Sequence, residues 1–260
     1  MQPVFLDLGF LQIRYYGLMY AIALLAGIKL ILTEVKRRRL GGNEDQILNI
    51  ILGAFVGAIL GARLYYVLFN LPLYRGDIWE IFAVWHGGLA IHGGIFGGVL
   101  TGYLLCRFYK IAPWRFADCA SPTVLLGQAI GRFGNLMNGD AHGLPTSLPW
   151  GLIFPAGTPA GDEFPNLPLH PTMLYEMILN FLFFLILYRL QKKNNYKDGY
   201  IFCLYLIFYS AARFIVSFFR ADDLYFLGFN LPHLVSLVLI AVCGYIIWRH
   251  KLYRVKEGAQ

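Results

Sequence analysis

The chain of 260 residues is 58% apolar and only 14% charged, and its 22 Lys and Arg against 15 Asp and Glu give a formal net charge of +7. Soluble domains average roughly 45 to 50% apolar and about 25% charged, so a water-soluble globule, a disordered chain, a collagen and a disulfide-stapled module are excluded. The four cysteines, Cys106, Cys119, Cys203 and Cys243, all fall inside apolar stretches, where they imply no disulfide framework.

Seven apolar stretches follow in chain order, at 15–34, 47–68, 89–108, 116–137, 173–190, 200–219 and 231–248, each near the ~20 residues a helix needs to cross hydrocarbon. The sequence therefore predicts an all-α integral membrane protein, one domain over 1–260 with seven transmembrane helices. Arg14 is the first basic residue and the KRRR run at 36–39 follows the first stretch, so that stretch lacks a signal peptide's positive flank and is expected to be retained. Basic residues then cluster at 36–39, at Arg107, Lys110 and Arg115, at Arg189, Lys192, Lys193 and Lys197, and at Arg249, Lys251, Arg254 and Lys256. These fifteen share one side, with only Arg14, Arg75 and Arg220 opposite. The positive-inside rule places the N-terminus outside and the C-terminus in the cytoplasm. It also accounts for the net charge without a nucleic-acid partner.

Along the spans, Tyr16 opens the first, and Lys29 lies deep enough in it to snorkel toward the cytoplasm. Gly53, Gly57 and Gly61 stand four residues apart in the second, and Gly93, Gly94, Gly97, Gly98 and Gly102 line the third. Small residues at that spacing let helix backbones approach closely, and the third span is expected to be central and closely surrounded. Asp118 opens the fourth, where a first-turn acid suits the helix dipole. The segment 138–171 between spans four and five holds seven of the 12 prolines and no Lys or Arg. It is expected to be an external cap of ordered, irregular structure, with Trp150, Phe154 and Phe164 packing.

Arg63, Arg132 and Arg213 sit inside spans, each five or six residues from the outer end. An arginine at the centre of a lone span costs about 2.5 to 3.5 kcal/mol on insertion scales, a cost that falls in a wet, protein-lined cavity. His92 and Glu176 lie at comparable depth, and Tyr209 is one turn below Arg213. Several arginines, a histidine and tyrosines at head-group level suit an anionic phospholipid, because the guanidinium fork binds phosphate oxygens in pairs. Histidine is the side-chain type whose ordinary pKa lies near neutrality, which makes His92 the natural general base. The alternatives are an Arg pair with Glu176, a helix-bridging His92, an anion transporter with a midplane site, and a non-catalytic lipid-binding protein. His86, His142 and His233 lack metal-ligand spacing. No nucleophilic Ser motif, dinucleotide fingerprint or phosphate loop appears.

HGGLAIHGG (86–94) and GRFGNLMNGDAHG (131–143), with RYYGLMY (14–20), GARLYYVLF (61–69), HPTMLYE (170–176) and RFIVSFFR (213–220), together resemble the prolipoprotein diacylglyceryl transferase family. The resemblance implies a multi-pass enzyme of the bacterial inner membrane with its active site open to the external face. Such an enzyme moves the sn-1,2-diacylglyceryl group of phosphatidylglycerol to the lipobox cysteine thiol of prolipoprotein signal peptides, releasing glycerol 1-phosphate, as the first step of lipoprotein maturation. No cofactor and no metal are implied. On this resemblance Arg132 binds the lipid phosphate, Arg213 is the second essential arginine, and Arg220 is a further functional one. His92, Tyr16, Asn135, Gly143 and Tyr209 match important positions. The expected catalytic set is thus His92, Arg132, Arg213 and Tyr16, with Arg132, Asn135, Gly143, Tyr209, Arg220, Asp140 and Arg63 binding substrate. Two positions depart: Asp140 stands where the family commonly has Glu, and Ser217 stands where RFIVEFFR has Glu. An arginine pairing with the acid missing at 217 must be replaced or absent.

Overall fold

The computed structural model describes residues 3–9, 12–74, 76–226 and 228–254; Arg75 and Lys256, counted above among the basic residues, lie outside them. The helices are α1 (Tyr15–Arg38), α2 (Glu44–Phe69), α3 (Ile91–Phe108), α4 (Pro113–Asn138), α5 (Pro159–Glu163), α6 (Thr172–Lys193), α7 (Tyr200–Ser217) and α8 (Leu231–His250). All but the short α5 fall on an expected span. Two antiparallel strand pairs, β1 (Val4–Asp7) with β2 (Gln12–Arg14) and β3 (Tyr225–Phe226) with β4 (Phe229–Asn230), precede α1 and α8. By length and composition, α1, α2, α6, α7 and α8 are apolar enough to cross a membrane. α3 and α4 are not in that group, because glycine dilutes one and Arg115, Asp118, Gln128 and Arg132 the other. Contacts gather into two compact units, residues 1–31 with 117–260, and residues 32–116.

In the smaller unit a capping box starts α2. Asn43 Oδ1 accepts from the Gln46 amide at 2.8 Å, and Gln46 Oε1 accepts from the Asn43 amide at 3.1 Å. α2 and α3 then pack through their glycines. A Cβ at Gly61 would lie 2.4 Å from the Gly93 carbonyl oxygen, and one at Gly97 2.3 Å from that of Gly57, so only glycine permits the approach. The opposite face of α3, with Ile95, Phe96, Val99 and Leu104, is exposed. Within this unit the small residues of α3 serve one neighbour, α2. At the end of α1 the expected basic run is partly buried, with Arg37 and Arg38 both on the Glu34 carboxylate at 2.6 Å.

In the larger unit, Leu125 of α4, Phe184 and Leu187 of α6 and Ile201 of α7 form the core with Tyr196. Asp118 is fully buried, but its role differs from the expected one on its own helix. α4 begins at Pro113, and the Asp118 carboxylate instead accepts from the Gly199 and Phe202 amides at 2.8 and 2.9 Å, capping the start of α7. Cys203 and Cys243 join α7 to α8 beside Leu252, and all four cysteines are buried. Segment 138–171 folds on a small core of Phe154, Ala160, Leu169 and Met173, with Phe164 packed against it. Trp150 stays exposed, its indole N–H donating to the Tyr175 hydroxyl at 2.8 Å.

Candidate functional site

The larger unit brings most of the expected site residues together at the end where α4 and α7 finish and α6 begins. Arg132 donates to the Glu176 carboxylate at 2.5 Å and to Asn135 Oδ1 at 3.1 Å. Glu176 is 1% exposed, and its other oxygen lies 3.7 Å from Arg220 Nη1. The Arg220 side chain is 9% exposed, gripped through paired bonds of 2.9 and 2.7 Å by Asp222. The ion pair with Glu176 weighed from sequence is therefore real, and it links two arginines.

Arg213 donates to Asp223, which also accepts from Ser217 Oγ and, at 3.1 Å, from Asn230 Nδ2. Arg220 Nε is 3.5 Å from the same carboxylate, whose side chain is 1% exposed. Asp223 thus supplies the acid that Ser217 does not, and the serine hydroxyl becomes one of its donors. Sequence reasoning missed this residue; the signal was the pair of acids that closely follows the serine. Arg213 Nη1, by contrast, is buried with no hydrogen-bond partner among the described residues.

A second group closes the cluster toward α1. Tyr16 donates to Asp140 Oδ2, while Asn135 Nδ2 donates to the Tyr16 hydroxyl and, at 3.0 Å, to Asp140 Oδ1. Asn135 therefore couples Arg132 to the tyrosine, and the shorter acid at 140 still reaches both partners. Tyr209 lies within electrostatic reach of Arg132, Arg213, Arg220 and Glu176. Gly143 has a steric reason to be glycine, since a Cβ there would lie 2.5 Å from the His170 carbonyl oxygen and 2.7 Å from that of Phe219. The Leu144 amide donates to Phe219 at 2.8 Å, stitching segment 138–171 to the end of α7. Partial burial lowers the pKa of the nearby His170 imidazole from its ordinary value. An apolar groove of about 490 Å³, lined by Met19, Ile130, Phe133, Met177 and Phe181 among others, runs between α1, α4 and α6.

Arg63 and His92 belong to the smaller unit. The Arg63 guanidinium is 6% exposed and donates to the carbonyls of Glu80, Ile81, Gly87 and Gly88, the last three at 2.9, 2.6 and 3.3 Å, above the Tyr74 ring at 5.3 Å. Four of its bonds go to the chain itself, which gives Arg63 a structural task whether or not it also meets lipid. His92 is exposed in the first turn of α3, its ring 6.1 Å from that of Tyr65. His86 and His142 pair with Glu80 and Glu163, at 2.8 and 2.9 Å, and His233 Nε2 lies 3.1 Å from the Phe214 carbonyl oxygen.

A family model described as prolipoprotein diacylglyceryl transferase matches residues 3–249. A protein of Fusobacterium nucleatum subsp. nucleatum, named phosphatidylglycerol–prolipoprotein diacylglyceryl transferase, is 45% identical, the match covering 93% of this chain and 96% of that one. Proteins of the same name from Clostridium botulinum (strain Langeland) and Thermosynechococcus vestitus are 38% and 37% identical, over 95% and 94% of this chain and 96% and 91% of theirs.

Proposed function

The chain belongs to the prolipoprotein diacylglyceryl transferase family, and from that premise we propose that it transfers the sn-1,2-diacylglyceryl group of phosphatidylglycerol to the lipobox cysteine thiol of prolipoprotein signal peptides. Glycerol 1-phosphate is the released product. The observation that carries this reading is the bare, buried Arg213 Nη1, set in a cluster where Arg132 and Arg220 are already held by acids. A charged donor in such a place suits a phosphate oxygen.

Arg132 and Arg213 hold the lipid phosphate while the thiol sulfur attacks the sn-3 carbon of the glycerol. The S–C bond forms as the C–O bond breaks, and the electron pair leaves with glycerol phosphate, whose second negative charge the guanidinium groups stabilise. A free thiol has a pKa of about 8.5 and must lose its proton to attack; His92 accepts it as general base. Tyr16, Asn135 and Asp140 orient Arg132 through the bonds described above, and Tyr209 and Gly143 shape the wall beside it. No covalent enzyme intermediate is formed.

In the membrane reading, seven helices cross the bacterial inner membrane, with segment 138–171 outside and the C-terminus in the cytoplasm. A cysteine placed by Thr146→Cys then reacts with an impermeant thiol reagent in intact spheroplasts; labelling only after lysis would reverse the topology. The chemistry is tested with purified protein, phosphatidylglycerol and a lipobox peptide, following glycerol phosphate and peptide mass together. Stoichiometric release and thioether formation are expected. Lipid movement with an unmodified peptide would indicate a transporter instead.

A further inference from the structure

One turn inward from Arg132, Glu176 and Tyr209, each of these three helices carries a second polar residue. Gln128 lies four residues before Arg132 on α4, Asn180 four after Glu176 on α6, and Tyr205 four before Tyr209 on α7. Residues four apart share a helix face, about 6 Å apart along the axis, so these three form a second tier toward the middle of the helices. Two of them meet directly: Gln128 Nε2 donates to the Tyr205 hydroxyl at 3.3 Å, and the Tyr205 ring stacks on Tyr209 at 6.4 Å. Asn180 is 0% exposed, yet neither Oδ1 nor Nδ2 has a hydrogen-bond partner among the described residues, and Gln128 Oε1 is likewise unpartnered. A buried amide in an apolar helix is costly to leave so, and such a group marks a ligand or a functional site. Tyr205 accepts from Gln128, so its own hydrogen is unspent.

We propose that this second tier binds the ester carbonyls of the diacylglyceryl group, with Asn180 Nδ2 and the Tyr205 hydroxyl as donors. The assignment rests on the transferase reading above and extends it to the group that is transferred. In a glycerophospholipid the ester-bearing carbons lie a few bonds from the phosphate on the acyl-chain side, and the head-group glycerol lies on the other. A lipid whose phosphate sits on Arg132 and Arg213 therefore presents its carbonyls, which only accept, to the tier that holds unspent donors. Water entering with the lipid satisfies the remaining amide oxygens. An apolar groove along the same α4 and α6, beside Ile130 and Met177, offers the chains an apolar surface. Held at phosphate and ester, the sn-3 carbon between them is fixed for attack.

The test compares diester phosphatidylglycerol with a 1,2-di-O-alkyl analogue that keeps head group, phosphate and chain length but lacks the carbonyls. Thioether formation on a lipobox peptide is the readout. Wild-type kcat/KM should be roughly tenfold lower on the diether, the worth of one or two hydrogen bonds. Asn180→Leu and Tyr205→Phe should each lower the diester rate toward the diether rate while leaving the diether rate nearly unchanged. Equal wild-type rates on the two lipids overturn the inference, and so does an equal loss on both lipids in the variants, which marks a structural role. If one variant does not fold, the other and the wild-type comparison still decide. If the wild type modifies the peptide with neither lipid, the transferase reading itself falls, and the inference with it.

Discussion

Arg63 and Arg213 each root a guanidinium in a long apolar helix, and their surroundings use that charge differently. Around Arg63 the 3-10 turns Ile78–Phe82 and Val84–His86 and the Gly87–Gly88 pair bring four backbone carbonyls to one fork, with no carboxylate partner among the described residues. Around Arg213 a buried acid takes one side and leaves Nη1 bare. The first arrangement satisfies carbonyls that would otherwise lack donors, so the arginine acts as an internal cap for irregular chain. The second orients a charge and keeps part of it in reserve. Burial and depth alone would rank the two arginines alike; what separates them is the chemistry of the acceptors.

That contrast can be broken most decisively by removing the fork and keeping the charge. Arg132→Lys and Arg213→Lys should each lose about a hundred- to a thousandfold in turnover, about 2.7 to 4 kcal/mol of transition-state stabilisation, measured as glycerol phosphate release. Retention of more than about a tenth would mean that a point charge suffices. Arg63→Lys should act on the fold instead, lowering stability in detergent by about 1 to 3 kcal/mol because buried carbonyls lose donors. A rise in lipid KM like that of the Arg213 variant would return Arg63 to the lipid site. Gly61→Ala should destabilise by a similar amount, since the new Cβ meets backbone; unchanged thermal unfolding would show that α2 and α3 can separate freely. The smallest effect sharpens the role of the acid: Asp223→Asn should raise lipid KM about tenfold, about 1.4 kcal/mol, with kcat less affected. An unchanged KM would show that Arg213 holds its position unaided.

Helix existence was legible throughout, because each of the seven apolar stretches is long and bounded by charged or proline-rich chain. The pairing of Arg132 with Glu176 was legible too, since two opposite charges at one depth have few other partners. Asp223 was not, because its value lies in a turn that folds it back onto α7, and no spacing rule encodes that return. The same holds for Asp118, which looked like a cap for its own helix and serves another. The structural task of Arg63 was not legible, because the sequence does not announce carbonyls that arrive from irregular chain. Asn180 passed unnoticed as a single amide in an apolar run, although its spacing from Glu176 was available as a clue.

The carboxylate of Asp118 at the start of α7 has a mechanical consequence. It grips the Gly199 and Phe202 amides, while Asp223 grips Arg213 near the far end, so the helix is clamped at both ends like a ruler between stops. From Gly199 to Arg213 is fourteen residues, about 21 Å at 1.5 Å per residue, and residue count alone sets where the guanidinium falls. One residue added or deleted between those stops turns everything beyond it by about 100°, which would swing Arg213 off the face that the grip on Gly199 and Phe202 sets for it. Substitutions on the outer surface of α7 are open to drift, but its length is not.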